Sequence, residues 1–231
     1  MKWLWPIFIL LPWACAVDDN SYATVLARHV KEGVVDYPAM RKDDSKALLD
    51  RFIDEGGKVH WDKLEEREAK ALLINLYNAA TLRLILEHPE ISSITNLKNP
   101  WDQKIFQVGE KFISLNELEN GIIRPKFRDA RVHLVLNCSA RSCPPLLSKP
   151  LRADTLENQL DDACVGALGN ARLIRPNRIG ASGDSNSLGL SRIFQWYEGD
   201  FVASFGSLEG FLARYRGGNK IIGGLSLAAP I

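Results

Sequence analysis

The residues Arg131-Val132-His133-Leu134-Val135-Leu136-Asn137-Cys138-Ser139-Ala140-Arg141-Ser142-Cys143-Pro144-Pro145 bring one imidazole and two thiols into a single short stretch. Thiol catalysis needs a thiolate, and a neighbouring imidazole lowers a thiol pKa to provide one. Read as a strand, Arg131 to Asn137 alternates, with Val132, Leu134 and Leu136 on one face and Arg131, His133, Val135 and Asn137 on the other. One further step carries Cys138 to the apolar face, where a thiol is a small inert hydrophobe. Cys143 is left in the loop beside Arg141 and Ser142. The pattern predicts Cys143 as nucleophile and His133 as its base.

The same residues admit plainer readings. A single His on a strand serves as a hydrogen-bonded structural residue, and Cys138 and Cys143 can close a tight disulfide in an oxidising compartment. A zinc site from His133, Cys138 and Cys143 lacks a fourth ligand and the usual spacing, so no metal is expected. Asn75 and Asn78 lie three apart and so share a helix face. They are candidates to orient His133, or simply to bond loop backbone. Glu117 follows Ser114 by three residues and reads as the return half of a capping box. Glu119 then remains as a candidate acid or as a member of a polar cluster with Arg124. The aromatic run Phe194, Trp196, Tyr197 and Phe201, with Asp200, reads as packing. No Gly-Lys-Ser/Thr, Gly-x-Ser-x-Gly or His-Glu-x-x-His occurs, and no motif calls for a cofactor.

These residues need elements to position them. Helices are expected at Ser21 to Val30, at Asp44 to Ile53 with a stop at Gly56-Gly57, and at Lys63 to His88, ended by Pro89. The last of these is apolar on nearly every side from Leu72 to Leu82 and belongs at the centre of the domain. Lys104 to Val108 and Lys111 to Ile113 form a hairpin, and a helix runs from Ser114 to Ile123. Beyond the cysteine loop come a helix from Thr155 to Leu168, a second hairpin, a Gly, Ser and Asn stretch from Gly180 to Gly189, and closing helices at Leu190 to Tyr197 and Ser207 to Tyr215. The fold class is a helix-rich α+β single domain around a buried central helix with a small, mostly antiparallel sheet.

At the N-terminus, Lys2, the apolar run Trp3 to Trp13 and Ala14-Cys15-Ala16 have the form of a cleavable signal peptide over residues 1–16. Residues 17–231 then form one globular domain in the periplasm or cell exterior, and acylation of Cys15 is the alternative route. The run is too short to span a bilayer, no later segment is expected to do so, and no stable membrane insertion is expected after cleavage. With 29 basic and 28 acidic residues, the chain offers nothing electrostatic to nucleic acid. Cleavage leaves three cysteines, Cys138, Cys143 and Cys164, so at least one is unpaired within the chain.

The chain resembles the domain-of-unknown-function family 547. The resemblance is carried by Ile74-Asn75-Leu76-Tyr77-Asn78-Ala79, Ser114-Leu115-Asn116-Glu117-Leu118-Glu119, the Arg131 to Pro145 segment, and Leu190-Ser191-Arg192-Ile193-Phe194-Gln195-Trp196-Tyr197 with Asp200-Phe201. Gly33-Val34-Val35-Asp36-Tyr37 is similar to that family's opening. The resemblance implies exported bacterial relatives but no established activity. It also implies a His after the Glu at position 119, where this chain has Asn120. Two functions from different classes follow. One is a thiol-dependent hydrolase or acyl transferase acting on a peptide, amide or ester, with Cys143, His133, Asn75 or Asn78, and Glu119 as its site residues. The other is a non-enzymatic module that binds a ligand or protein partner. The leader reading predicts that N-terminal sequencing of the secreted protein starts at Val17; a start at a lipid-bearing Cys15, or an intact Met1, would contradict it.

Overall fold

The computed structural model describes residues 20–139, 143–176 and 188–215. The leader at 1–16, the 180–189 stretch up to Ser187, and the tail from Gly217 lie outside the described residues. Helix α1 (Asn20–His29) leads into a short hairpin, β1 (Val30–Lys31) with β2 (Val34–Val35), and then α2 (Tyr37–Met40) and α3 (Ser45–Gly57). Helix α4 (Glu66–Glu87) is followed by the hairpin β3 (Phe106–Val108) with β4 (Lys111–Ile113). Helix α5 (Leu115–Leu118) continues through a π-helical turn, Glu119–Ile123, into α6 (Arg124–Phe127). After the cysteine loop come α7 (Leu156–Gly169), the hairpin β5 (Ile174–Pro176) with β6 (Leu188–Leu190), and α8 (Arg192–Trp196), α9 (Glu198–Phe205) and α10 (Leu208–Tyr215). The fold is α+β and helix-rich, and the strands among the described residues form three separate antiparallel pairs.

Helix α4 is the centre. The Glu68 carboxylate reaches back to the Glu65 N–H at 3.4 Å to open it, and Pro89 follows its end. From Ala69 to Leu86 every residue except Arg83 is buried. Contrary to the expectation that no segment beyond the leader is long and apolar enough to cross a membrane, this helix is, by length and composition. Its most apolar window nevertheless lies 94% buried inside the protein, which is what a core helix needs. Helix α3 packs along α4, and α1 packs on α3 through Tyr22 stacked on Phe52 at 5.0 Å.

Gly56 and Gly57 do not stop α3 but complete its last turn. A Cβ on Gly57 would sit 2.2 Å from the Gln107 carbonyl oxygen, so glycine is there to let the β3–β4 hairpin dock, sealed by Gly109 N–H donating to Gly57 O at 2.7 Å. A second apolar cluster gathers Ala130, Leu134, Cys164, Phe194, Phe201 and Phe211 from the C-terminal helices and from the turn before the cysteine loop.

The segment read as a strand from Arg131 to Asn137 is a 3₁₀ turn over Ala130–Leu134, opened by the Asp129 carboxylate accepting from the Arg131 N–H at 3.1 Å. The alternation was misleading because Val132, His133, Leu134, Val135 and Leu136 are all buried, leaving no solvent face for a period of two to mark.

Asn75 and Asn78 are buried, and each amide closes a two-way clamp on backbone. Asn75 donates to Leu151 O at 2.9 Å and accepts from Leu151 N–H at 3.0 Å. Asn78 donates to Val135 O at 2.9 Å and accepts from Asn137 N–H at 2.8 Å. Their amides hold the two ends of the loop region and make no hydrogen bond to His133. Asn75→Ala and Asn78→Ala should each lower unfolding stability by about 1–3 kcal/mol for every backbone group left unpaired. Urea denaturation measures this, and losses under about 0.5 kcal/mol, the range of an ordinary surface change, would show that the amides are not clamps.

Candidate functional site

Two polar assemblies flank the stretch from His133 to Cys143. The first is built on Glu119. The Ser114 hydroxyl accepts from the Glu117 N–H at 3.0 Å and the Glu117 carboxylate from the Ser114 N–H at 2.8 Å, so the helix opens with the expected capping box. It runs on past Ile123 to Phe127 because the π-helical turn accommodates Pro125, which has no N–H to give to a preceding turn. That turn begins at Glu119, which is 8% exposed. Its carboxyl accepts from the Tyr197 hydroxyl at 2.5 Å and is also bonded by the Tyr77 hydroxyl. Burial raises the Glu119 pKa, and the two hydroxyls and Arg124 offset only part of that.

His133, 2% exposed, lies against this group with its ring stacked on Tyr197 at 3.7 Å. Its Nε2 is 2.7 Å from Asp200 Oδ2. Burial pushes the His133 pKa down to about 4, against the pull of Asp200, so the ring is neutral at pH 7. Because the Asp200 carboxylate only accepts, Nε2 carries the proton and Nδ1 the lone pair. Among the described residues Nδ1, which is buried, has no hydrogen-bond partner and lies 3.9 Å from Glu119 Oε1. That separation falls within ion-pair range, but a neutral ring makes no ion pair and 3.9 Å is too long for a hydrogen bond. A protonated Glu119 facing a lone pair is favourable where an ionised one would be repelled, and this agrees with its raised pKa.

Asp200 is held in turn by Arg124, whose Nε and a terminal nitrogen bond its two oxygens at 2.8 and 3.1 Å. This pairing is the chief cause that keeps the Asp200 pKa below the ordinary carboxylate value. The Arg124 guanidinium also lies over the Tyr197 ring at 4.9 Å. Chemically the group is an oriented imidazole beside a carboxyl that favours its proton, with Arg124 and Asp200 at its partly exposed edge. The His133–Glu119 face of the group is buried, and its Asp200–Arg124 face is partly exposed.

The second assembly is the cysteine loop, and here the sequence expectation is corrected. Cys143 is joined to Cys138 in a disulfide with a Cα–Cα distance of 5.9 Å, so it carries no thiol. Their burial is also the reverse of that expected: Cys143 is 4% exposed and Cys138 only partly buried, because the 3₁₀ turn breaks the strand parity that assigned the faces. Among the described residues the polar and ring neighbours of His133 are Asp200, Glu119, Tyr197 and Phe201, none of them in the loop. Arg141 and Ser142 lie outside the described residues. Asn137 closes the loop from within: its amide donates to Pro144 O at 2.7 Å and accepts from Ser139 N–H at 2.9 Å. Tyr37 meets Ser139 hydroxyl to hydroxyl at 3.1 Å. Gly33, at φ +75°, lets Pro145 approach so closely that a Cβ there would sit 2.1 Å from the Pro145 Cβ.

Of the predicted site residues, then, the structure unites His133 with Glu119, ties Asn78 to the base of the cysteine loop, and sets Asn75 on Leu151. Among the described residues no group of three or more His, Cys, Asp or Glu is placed to hold a metal ion. Tyr77, Tyr197, Asp200 and Arg124 were not named as site residues. Their signals were present: Arg124 shares a helix with Glu119, and Tyr197 and Asp200 stand three apart in an aromatic run that does not all face inward, since Trp196 is 58% exposed.

The fold and these assemblies define a helix-rich α+β domain with a buried histidine–carboxyl network and a disulfide-closed loop. Residues 61–166 match the model of the family described as Protein of unknown function, DUF547, and the chain resembles that family over this span. The span holds Asn75, Asn78, Glu119, His133 and both loop cysteines, but not Tyr197 or Asp200. No curated protein and no solved structure matches the chain.

The His133 pKa lies below its ordinary value of 6.5 in the folded state, so only the unfolded chain takes up that proton as pH falls from 6.5 toward about 4. Stability should therefore fall over that window, by up to about 2–3 kcal/mol from this group. Glu119, raised when folded, works the other way and offsets part of the loss. Urea unfolding against pH should give a flatter profile for His133→Gln and a steeper one for Glu119→Gln. A His133→Gln profile parallel to wild type would exclude this burden on the ring.

Proposed function

We propose that the chain is an exported module that binds a ligand or partner, and that it is not a thiol hydrolase as folded. The observation that carries this reading is the Cys138–Cys143 disulfide, with His133 enclosed among Asp200, Glu119 and Tyr197 rather than set beside a sulfur. A disulfide is also what an oxidising compartment favours, and the leader-like N-terminus points to the same location.

The groove that suits a ligand lies beside the β1–β2 hairpin. It has a volume of about 360 Å³ and is lined by Val34, Val35 and Pro38, with Arg28, His29, Lys31 and Asp36 around them. Val34 lies open there, next to the contact of Gly33 with Pro145. Exposed Val34 beside Lys31, with Arg28 already paired to Asp43 and Asp44, suits a short extended peptide carrying an apolar side chain and an acidic neighbour.

Backbone amide shifts during titration with such peptides should concentrate in residues 28–38. Val34→Asp should weaken binding at least about tenfold, the value of one lost apolar contact. The oxidised and dithiothreitol-reduced proteins should turn over 4-nitrophenyl acetate no faster than Cys143→Ala does. A burst of 4-nitrophenolate in the reduced wild type that is absent from Cys143→Ala would overturn the reading in favour of a thiol hydrolase.

A further inference from the structure

The sulfur pair has properties that neither the binding groove nor the His133 network uses. Its two residues differ in exposure. Cys138 sits at the rim, partly exposed, and Cys143 is buried beneath it. The two ends of the loop are also held by contacts other than the S–S bond. Asn137 spans the same gap through Pro144 O, Asn78 holds the Asn137 N–H, and Pro145 is seated against Gly33. Breaking the bond would leave two sulfurs held near each other by that frame. The third cysteine is no competitor: Cys164 is fully buried in the second apolar cluster, and burial pushes its thiol up to about 12.

We propose that Cys138–Cys143 is a thiol–disulfide exchange site whose co-reactant is a dithiol. A thiolate of the incoming dithiol attacks Cys138 Sγ, the sulfur of the more exposed residue. A mixed disulfide forms there as the Cys138–Cys143 bond breaks, and Cys143 leaves as a thiolate that takes a proton from water. The second thiolate of the dithiol then attacks its own first sulfur and displaces Cys138 as a thiolate, which is protonated in turn. The dithiol ends as a disulfide, and the loop pair has gained two electrons and two protons. In the reverse direction, the reduced pair uses Cys138 to attack a disulfide and Cys143 to resolve it. Burial of Cys164, the other cysteine among the described residues, removes it as an internal reshuffling partner, so the exchange is with another molecule. The proposal concerns the sulfurs alone and is independent of the peptide groove.

The test uses the full chain and dithiothreitol as the dithiol. Under native conditions two thiols should appear on reduction and disappear on reoxidation, with the near-ultraviolet circular dichroism unchanged. In the single variants, Cys143→Ser should take up glutathione from glutathione disulfide at Cys138, seen as a mass increase. Cys138→Ser should do so at least about tenfold more slowly, because its remaining sulfur is buried. Resistance of the bond to dithiothreitol until the protein unfolds would overturn the proposal, as would loss of the near-ultraviolet signal on reduction. Equal rates for the two variants would overturn the assignment of Cys138 as the attacked sulfur.

Discussion

A helix buried on all sides cannot leave a polar side chain without a partner, and α4 carries several. Lys70 bonds the Asp129 carboxylate at 3.1 Å, Asn75 clamps Leu151, Tyr77 reaches Glu119, Asn78 clamps Val135 and Asn137, and Arg83 donates to Ile105 O. Each partner lies in a turn, a loop or an interrupted helix rather than in another regular element. The unfavourable burial of these groups is offset only when the irregular segments sit in one place, since an unmet buried partner costs about 1–3 kcal/mol. Helix α4 thus acts as a template: apolar side chains pack α1 and α3 against it, and polar ones fix the pieces of chain that have no periodicity of their own.

The seam between the two apolar clusters follows the same rule with charge added. Arg131 bonds Asp129, Glu157 and Asp161, joining the turn before the cysteine loop to α7, and the Tyr215 hydroxyl brings α10 to Asp161 at 2.7 Å. On the other side of the seam, Arg124 and His133 converge on Asp200 of α9. The apolar contacts of Phe194, Phe201 and Phe211 supply the larger share of the docking energy, at about 1.5–3 kcal/mol for each fully buried ring. The charged groups decide where on the surface of the first cluster those rings come down. Glu119 and His133 sit where the two requirements meet, and burial there accounts for their perturbed pKa values.

Much of this could be read from composition and period, but only where one face differed from the other. Helix α7 is Leu156–Gly169 against an expected Thr155 to Leu168, and the capping box at Ser114 is where the spacing put it. The all-round apolarity of residues 72–82 correctly placed α4 at the centre. In some places the deciding contact came from a distant residue. Gly56-Gly57 signalled a helix stop, yet the backbone of Gln107 is what requires Gly57. Helix α9, Glu198–Phe205, was not foreseen because Gly199 and the aromatic run conceal its short period. Glu119 was a candidate from its spacing, and Tyr77, Tyr197 and His133, from three separate parts of the chain, are what surround it.

The stretch from His133 to Cys143 makes the point most sharply, because one run of sequence was read as one site and the fold divides it into two. A strand sends alternate residues to opposite faces, whereas a 3₁₀ turn rotates by a third of a circle per residue. The turn over Ala130–Leu134 therefore directs His133 toward the C-terminal helices and Leu134 into the second apolar cluster, while Val132 stays in the first. Asn78 then takes hold of the backbone on both sides of Leu136, fixing how the chain leaves the turn. By Cys138 the chain has reached the rim beside Tyr37. The imidazole and the sulfurs, close in sequence, answer to different neighbours: a largely buried carboxyl network holds the first, and the backbone frame of Asn78, Asn137 and Gly33 holds the second.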